Sequence, residues 1–501
     1  MFGRKRRKPS LEEDSGLEMI DVENEVKDVP KKAKASVYRE YTVVVYAFLA
    51  LFVLLIGNFV FFNIFQAEQV INNNFNKREA TLAEDIIKGD ILDCNKKVLA
   101  TTKVAKDGTE TRYYPLGKVF AHVVGYSAKG KTGLESSDNF SMLRSHSSII
   151  TQVTNDLNDK KSNGDNIVTT LDSNLQSVAY NGLGNLNGAA IVMEVKTGKV
   201  LAMVSKPAFD PNTIAANWDT YTKDTSGTGI LLNRATQGLY PPGSTFKILT
   251  LLEYIKENDD YDKFSYTCKG SVTEGDFKLR CYDGKSHGKQ NLKQAFANSC
   301  NSAFATIGLS LDISKYRALC EKALFNKDLP LNMPYSKSSF VLDSSSEKPQ
   351  VMMTAMGQGE TVVSPMHMAL IASAIANDGV AMTPYLVDHT ENDAGITVTT
   401  YRPKKGATLF DKADCDILKT YMRAVITEGT GYDLKGTKYN VYGKTGTAEY
   451  SSDKTKSHSW FVGFSESEGA DLAVCVIAEN ADGVAPRITR SILDTYYKNK
   501  K

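Results

Sequence analysis

A serine followed three residues later by a lysine can supply a nucleophile and its base if both lie on one turn of a helix. In "YPPGSTFKILTLLEYI", Ser244 opens an apolar-periodic helix and Lys247 follows on the same side of its first turn. A lone serine is a weak nucleophile and needs a base within hydrogen-bond reach. Lysine can serve when burial and neighbouring positive charge lower its pKa. The helix N-terminus adds free backbone N–H groups, one of which suits half of an oxyanion hole. Taken alone, the pair is equally compatible with an ordinary helix cap. The same spacing recurs at Ser345/Lys348 and Ser451/Lys454, in polar stretches that read as solvated loop.

Two further elements follow along the chain. In "ANSCNSAF", Ser299 and Asn301 offer a hydroxyl and an amide that could relay a proton and hold a substrate amide, although Ser/Asn pairs are also common in turns. In "VYGKTGTAEY", the triplet Lys444-Thr445-Gly446 lies in a short extended run. An edge strand there could align an extended peptide by main-chain pairing. Lys444 would bring positive charge, Thr445 a hydroxyl, Gly446 an open face and Thr447 a second N–H towards the oxyanion. Lys-Thr-Gly also occurs at 196–198, read as a hairpin turn, and at 131–133, read as a polar loop. Each element is weak alone. The order Ser-x-x-Lys, Ser-x-Asn, Lys-Thr-Gly is the informative feature.

These residues need a scaffold. "GAAIVMEVKTGKVLAMVS" alternates apolar residues about a polar turn, and "HSWFVGF" with "LAVCVIAE" makes a second hairpin near the C-terminus. Helical patterns lie between them, including "NLKQAFANSCNSAFATIGLSL" and "SPMHMALIASAIANDG". Strands at both ends and helices between predict an α+β unit whose sheet is closed by distant parts of the chain. "NDLNDKKSNGDN" reads as a linker or hairpin loop before it.

Upstream, "YTVVVYAFLALFVLLIGNFVFFNIF" carries no charge and is long enough as a helix to cross about 30 Å of hydrocarbon. Basic residues (Arg4 to Lys8, Lys31, Lys32, Lys34, Arg39) precede it, which predicts a cytoplasmic N-terminus and an extracytoplasmic remainder. The expected organisation is a disordered tail over 1–40, a membrane helix over 41–65, a mostly β unit over 66–160 and a catalytic unit over 161–501. The 60 Lys+Arg residues against 58 Asp+Glu, a net charge of +2, argue against a nucleic-acid binder. Seven cysteines without a CxxC pair and six scattered histidines argue against a zinc hydrolase, and no metal site is expected. No Gly-x-Ser-x-Gly elbow is present. Cys268 and Cys281 flank "KGSVTEGDFKLR" and are expected to form a disulfide, with two independent thiols as the alternative. The Cys300 side chain is expected to point into the core.

Over nearly the whole chain after the anchor, the sequence resembles the class B penicillin-binding proteins, monofunctional peptidoglycan D,D-transpeptidases of the PbpA/FtsI-like kind. The resemblance rests on the three ordered motifs, on "NRATQGLYPPGSTFK", "GQGETVVSPMHMA" and "YGKTGTAE", and on "KGDILDCNKKVLA", "RYYPLGKVFAHVVGY" and "TGLE" in the β unit. Lys88 stands where the family pattern has Arg, and Cys94-Asn95-Lys96 departs from Arg-Asn-Gly. The resemblance implies the penicillin-binding transpeptidase fold, with an antiparallel five-stranded sheet flanked by helices, an all-helical subdomain and a pedestal or dimerisation-like domain. It implies that Ser244 is acylated by stem peptides ending in D-Ala-D-Ala, with Lys247 as base and Ser299 as proton relay. Asn301 would hold the substrate amide, and Lys444 with Thr445 the terminal carboxylate. It further implies acylation by β-lactams, no metal or cofactor, and a membrane polymerase partner of the FtsW/RodA type. A β-lactamase shares the three motifs but is normally secreted without an anchor. A sensor would need several spans, and a silent scaffold would carry the motifs without turnover.

Overall fold

Apolar runs buried on both faces, where alternation is expected from sequence, build the central sheet of the computed structural model, which describes residues 31–62, 78–225, 227–449 and 457–499. The antiparallel sheet runs in the order Asn440–Glu449, Ser457–Glu466, Ala470–Ala478, Gly188–Glu194, Val200–Lys206. Its first three strands come from late in the chain and its last two from some 250 residues earlier, so distant segments close it as the patterning predicts. The 196–198 triplet sits in the turn between the last two strands, where Gly198 takes a φ of +82°. The helix Pro365–Ala376 is buried along its whole length against this sheet, and Ser364 caps it by accepting from the His367 N–H.

A second sheet has six strands in the order Thr397–Thr400, Val387–Glu391, Asn166–Thr169, Ile91–Leu92, Val98–Val104, Glu110–Tyr113. It takes strands from both sides of the boundary expected near 160, because Asn166–Thr169 pairs parallel with Ile91–Leu92 on one side and antiparallel with Val387–Glu391 on the other. The segment read as a linker is partly structured. Asn155 to Leu157 end the helix Ile149–Leu157, and Ser162–Asn163 pairs parallel with Ile86–Ile87.

Three motifs of this region meet at one buried ion-pair triad. Glu135 Oε1 takes Arg112 Nε at 2.7 Å, and its Oε2 takes Lys88 Nζ at 2.5 Å. Lys88 thus uses its charge where the family pattern has Arg, and it donates in addition to Asn139. Burial pushes the Glu135 carboxyl up, but Lys88 and Arg112 outweigh it and hold the group below the usual carboxylate range. The 131–133 triplet leads into the short helix Gly133–Ser137 that carries Glu135, where a polar loop is expected from sequence.

The N-terminal segment forms a separate unit. Its helix Lys31–Phe61 contains the apolar span Tyr41–Phe61, exposed throughout and long enough to cross a membrane. Of the tail expected to be disordered over 1–40, residues 31–40 belong to this helix; residues 1–30, the segment 63–77 and the Ser451/Lys454 pair lie outside the described residues.

Candidate active site

The Gly243–Phe246 turn carries Ser244, and the helix Lys247–Glu257 continues directly from it. Gly243 has a φ of +55°, and its N–H donates to the Gly357 carbonyl at 2.8 Å. A Cβ on Gly357 would lie 1.8 Å from the Gly243 oxygen, so the "GQGE" segment supports the turn through bare backbone. Ser244 is half-buried, whereas Lys247 is fully buried. The Lys247 ammonium donates to the Ser299 carbonyl at 2.9 Å, to Ser299 Oγ at 3.3 Å and to Asn301 Oδ1 at 2.7 Å.

Ser299 and Asn301 lie where one expected helix divides into two, Leu292–Ala297 and Asn301–Ser310. Ser299 breaks it by adopting a φ of +56°, in the left-handed region that a side chain rarely occupies. The break turns the Ser299 carbonyl and hydroxyl towards Lys247 and starts the next helix at Asn301. Asn301 Nδ2 donates to the Arg280 carbonyl at 3.2 Å, so its amide is held from both sides.

The Lys444-Thr445-Gly446 triplet lies on Asn440–Glu449, an edge strand of the five-stranded sheet that packs against the Ser244 turn. Lys444 is fully buried and donates to the Thr445 carbonyl at 3.0 Å. Gly446 has a steric role not legible in the motif: a Cβ there would stand 3.0 Å from Thr245 Cγ2 and 3.2 Å from Trp460 Cβ. Thr447 Oγ1 donates to Asp482 Oδ1 at 3.3 Å. Thr430, which sequence reasoning missed, shares a short hydroxyl–hydroxyl bond with Thr445, and its N–H donates to the Ala297 carbonyl. The signal for it was the "GTG" that follows the long helix Lys412–Thr427.

Two buried lysines therefore share one site. Burial lowers the Lys247 pKa to about 8. Burial, followed by the nearby Lys247 charge, pushes Lys444 well below the usual lysine range.

Residues 188–494 match the family model described as the penicillin binding protein transpeptidase domain. The chain belongs to that family. Residues 88–167 match the penicillin binding protein A dimerisation domain. Peptidoglycan D,D-transpeptidase PbpA of Mycolicibacterium smegmatis is 28% identical, over 87% of this chain and 92% of the relative. Among solved structures, the D,D-transpeptidase domain of a peptidoglycan glycosyltransferase from Eggerthella lenta matches with a TM-score of 0.74 at 28% identity. That match covers 82% of this chain and 98% of the other. Penicillin-binding protein A of M. tuberculosis, solved as an imipenem acyl-enzyme complex, shares the fold with a TM-score of 0.72 at 24% identity, covering 82% of this chain and 99% of the other.

Two other groups of residues singled out in the sequence lie outside the catalytic set of this penicillin-binding protein. Ser345 bonds to Asp343 in an exposed turn, and Lys348 pairs with Glu274 on the surface, so that spacing carries no chemistry. Cys268 and Cys281 are the pair for which a disulfide is expected from sequence, with two independent thiols as the alternative. Both cysteines are free with their sulfurs 3.6 Å apart, against about 2.05 Å for the bond. Cys300 and His287 turn to the same point. Cys300 is buried, as expected, but its sulfur joins this cluster.

Proposed function

We propose that this penicillin-binding protein is a peptidoglycan D,D-transpeptidase working through an acyl-enzyme on Ser244, and that β-lactams acylate the same oxygen. The observation that carries this reading is the convergence of Lys247 on Ser299 and Asn301, one helical turn from Ser244. The unprotonated Lys247 amine takes the Ser244 proton as Oγ attacks the penultimate D-Ala carbonyl of a stem peptide. Backbone N–H groups of Ser244 and Thr447 receive the developing oxyanion. Collapse breaks the peptide bond, and a proton returns through Lys247 and Ser299 to the departing D-Ala amine. An amine of a second stem then attacks the ester, forming the cross-link and freeing Ser244.

Lys444 and Thr445 hold the terminal carboxylate. The incoming negative charge favours protonation of the depressed Lys444, and a charged Lys444 in turn favours a neutral Lys247. Substrate binding thus prepares the base. The edge position of Asn440–Glu449 supports alignment of the stem peptide by strand addition.

The apolar helix Tyr41–Phe61 and its basic flank support a membrane anchor with the catalytic unit outside. A polymerase of the FtsW/RodA type is the proposed membrane partner. Ile149, Ile150, Val153 and Leu157, large apolar side chains exposed on the helix Ile149–Leu157, support a docking role for this region.

Fluorescent penicillin tests the reading. Wild type should retain one covalent label per chain, and Ser244→Ala should retain none. Labelling that persists in the alanine variant overturns the assignment of Ser244, and rapid release of hydrolysed β-lactam favours a lactamase.

A further inference from the structure

Four soft or borderline metal ligands meet beside the Ser-x-Asn turn. They are the sulfurs of Cys268, Cys281 and Cys300 and the Nδ1 of His287, all within 4.8 Å of one another. The Cys268 and Cys281 sulfurs are 3.6 Å apart, Cys281 and Cys300 3.9 Å, and Cys268 lies 3.4 Å from His287 Nδ1. A tetrahedral zinc ion with ordinary bond lengths requires ligand separations of about 3.8 Å between sulfurs and about 3.6 Å between sulfur and nitrogen. Three of the six edges lie close to those lengths, and the other three fall within 4.8 Å. It also holds three thiols, so a disulfide within it would strand the third.

We propose that Cys268, Cys281, His287 and Cys300 bind a structural zinc ion that fixes the Ser299–Asn301 turn. The metal-binding part stands on this geometry alone, while its effect on acylation rests on the function proposed above. Three thiolates and an imidazole fill a tetrahedral shell completely, which suits a structural zinc and leaves no position for substrate. Binding releases the three thiol protons to solvent and transfers no electrons. The Gly270 N–H already donates to Cys268 Sγ at 3.4 Å, the kind of support a thiolate ligand takes from backbone.

The link to the active site is short. Cys300 lies between Ser299 and Asn301, and Cys281 follows Arg280, whose carbonyl holds the Asn301 amide. Tyr282, next to Cys281, donates to Asp482 Oδ2 at 2.8 Å, and Asp482 Oδ1 accepts from Thr447. One ion would therefore brace the segments that carry Asn301 and reach Thr447. The cluster makes its four ligands positioning residues, not participants in acyl transfer.

Elemental analysis of the full-length protein, purified in detergent without chelators, should give about one zinc per chain. Cobalt exchanged into the site should show the intense thiolate-to-cobalt absorption. Cys268→Ser and His287→Ala should each weaken or abolish both signals, while Cys415→Ala, a buried cysteine outside the cluster, should keep them. Metal-free wild-type protein with a Cys268–Cys281 disulfide, or with three freely titrating cluster thiols, overturns the site without reference to any variant. Stripping the ion should slow penicillin acylation on the order of tenfold to a hundredfold, the scale of ångström-level misplacement, and zinc should restore it. An unchanged rate after removal overturns the positioning role. Stoichiometric zinc in a protein that penicillin does not label keeps the site and removes the transpeptidase reading.

Discussion

Lys247 Nζ donates to Asn301 Oδ1 at 2.7 Å, while Ser244, three residues earlier, receives none of its hydrogen bonds in the structure. The lysine is thus aimed by the Ser-x-Asn turn and held one helical turn from Ser244. Asn301→Ala should slow acylation by fluorescent penicillin, and Lys247→Ala should slow it by about 10²- to 10⁴-fold, the usual contribution of a positioned base. Stopped-flow labelling checks both. Lys247→Ala at the wild-type rate excludes the lysine as base.

The pH dependence follows from the same lysine. With its pKa lowered to about 8 from an ordinary 10.5, Lys247 is mostly protonated at pH 6.5 and mostly neutral at pH 9. Acylation should therefore rise with pH and level off above about 8. For stability the sign is the same. Between about 8 and 10.5 the unfolded chain holds a proton that the folded chain has released, so this group favours folding increasingly as pH rises. A rate that falls across this range at constant fold excludes Lys247 as the titrating base.

Glu135→Ala should destabilise the region around residues 88–167 by about 3–5 kcal/mol, because Lys88 and Arg112 would keep their buried charges without a partner. Thermal unfolding measures this. A melting temperature equal to that of wild type contradicts the triad as a structural element.

Gly357→Ala should impair folding and acylation together, since its Cβ would lie 1.8 Å from the Gly243 oxygen and its φ is +87°. Gly446→Ala should be milder, with a Cβ 3.0 Å from the end of the Thr245 side chain. Titration of active sites with labelled penicillin, alongside circular dichroism, separates the two effects.

Much of this was readable in advance because it is periodic or ordered. The paired apolar runs located four of the five strands of the central sheet, and the order of three weak motifs located Ser244, Lys247, Ser299, Asn301 and Lys444. What escaped depends on partners remote in the chain. The break at Ser299 hides inside a continuous apolar pattern, because its left-handed backbone is stabilised by tertiary contacts to Lys247. The thiol cluster has ligand separations of 13 and 19 residues, which match no compact metal motif. Thr430 meets Thr445 only after the long helix has folded back.

The strand Val387–Glu391, which completes the sheet begun by residues near 91, also has a consequence in time. During synthesis the first part of that sheet emerges with Asn166–Thr169 lacking one neighbour. It must wait for more than two hundred further residues to be made. Such pairing is slow to form and leaves a sticky edge meanwhile. Nascent chains halted before residue 387 should therefore be the most sensitive to proteases and the most dependent on chaperones.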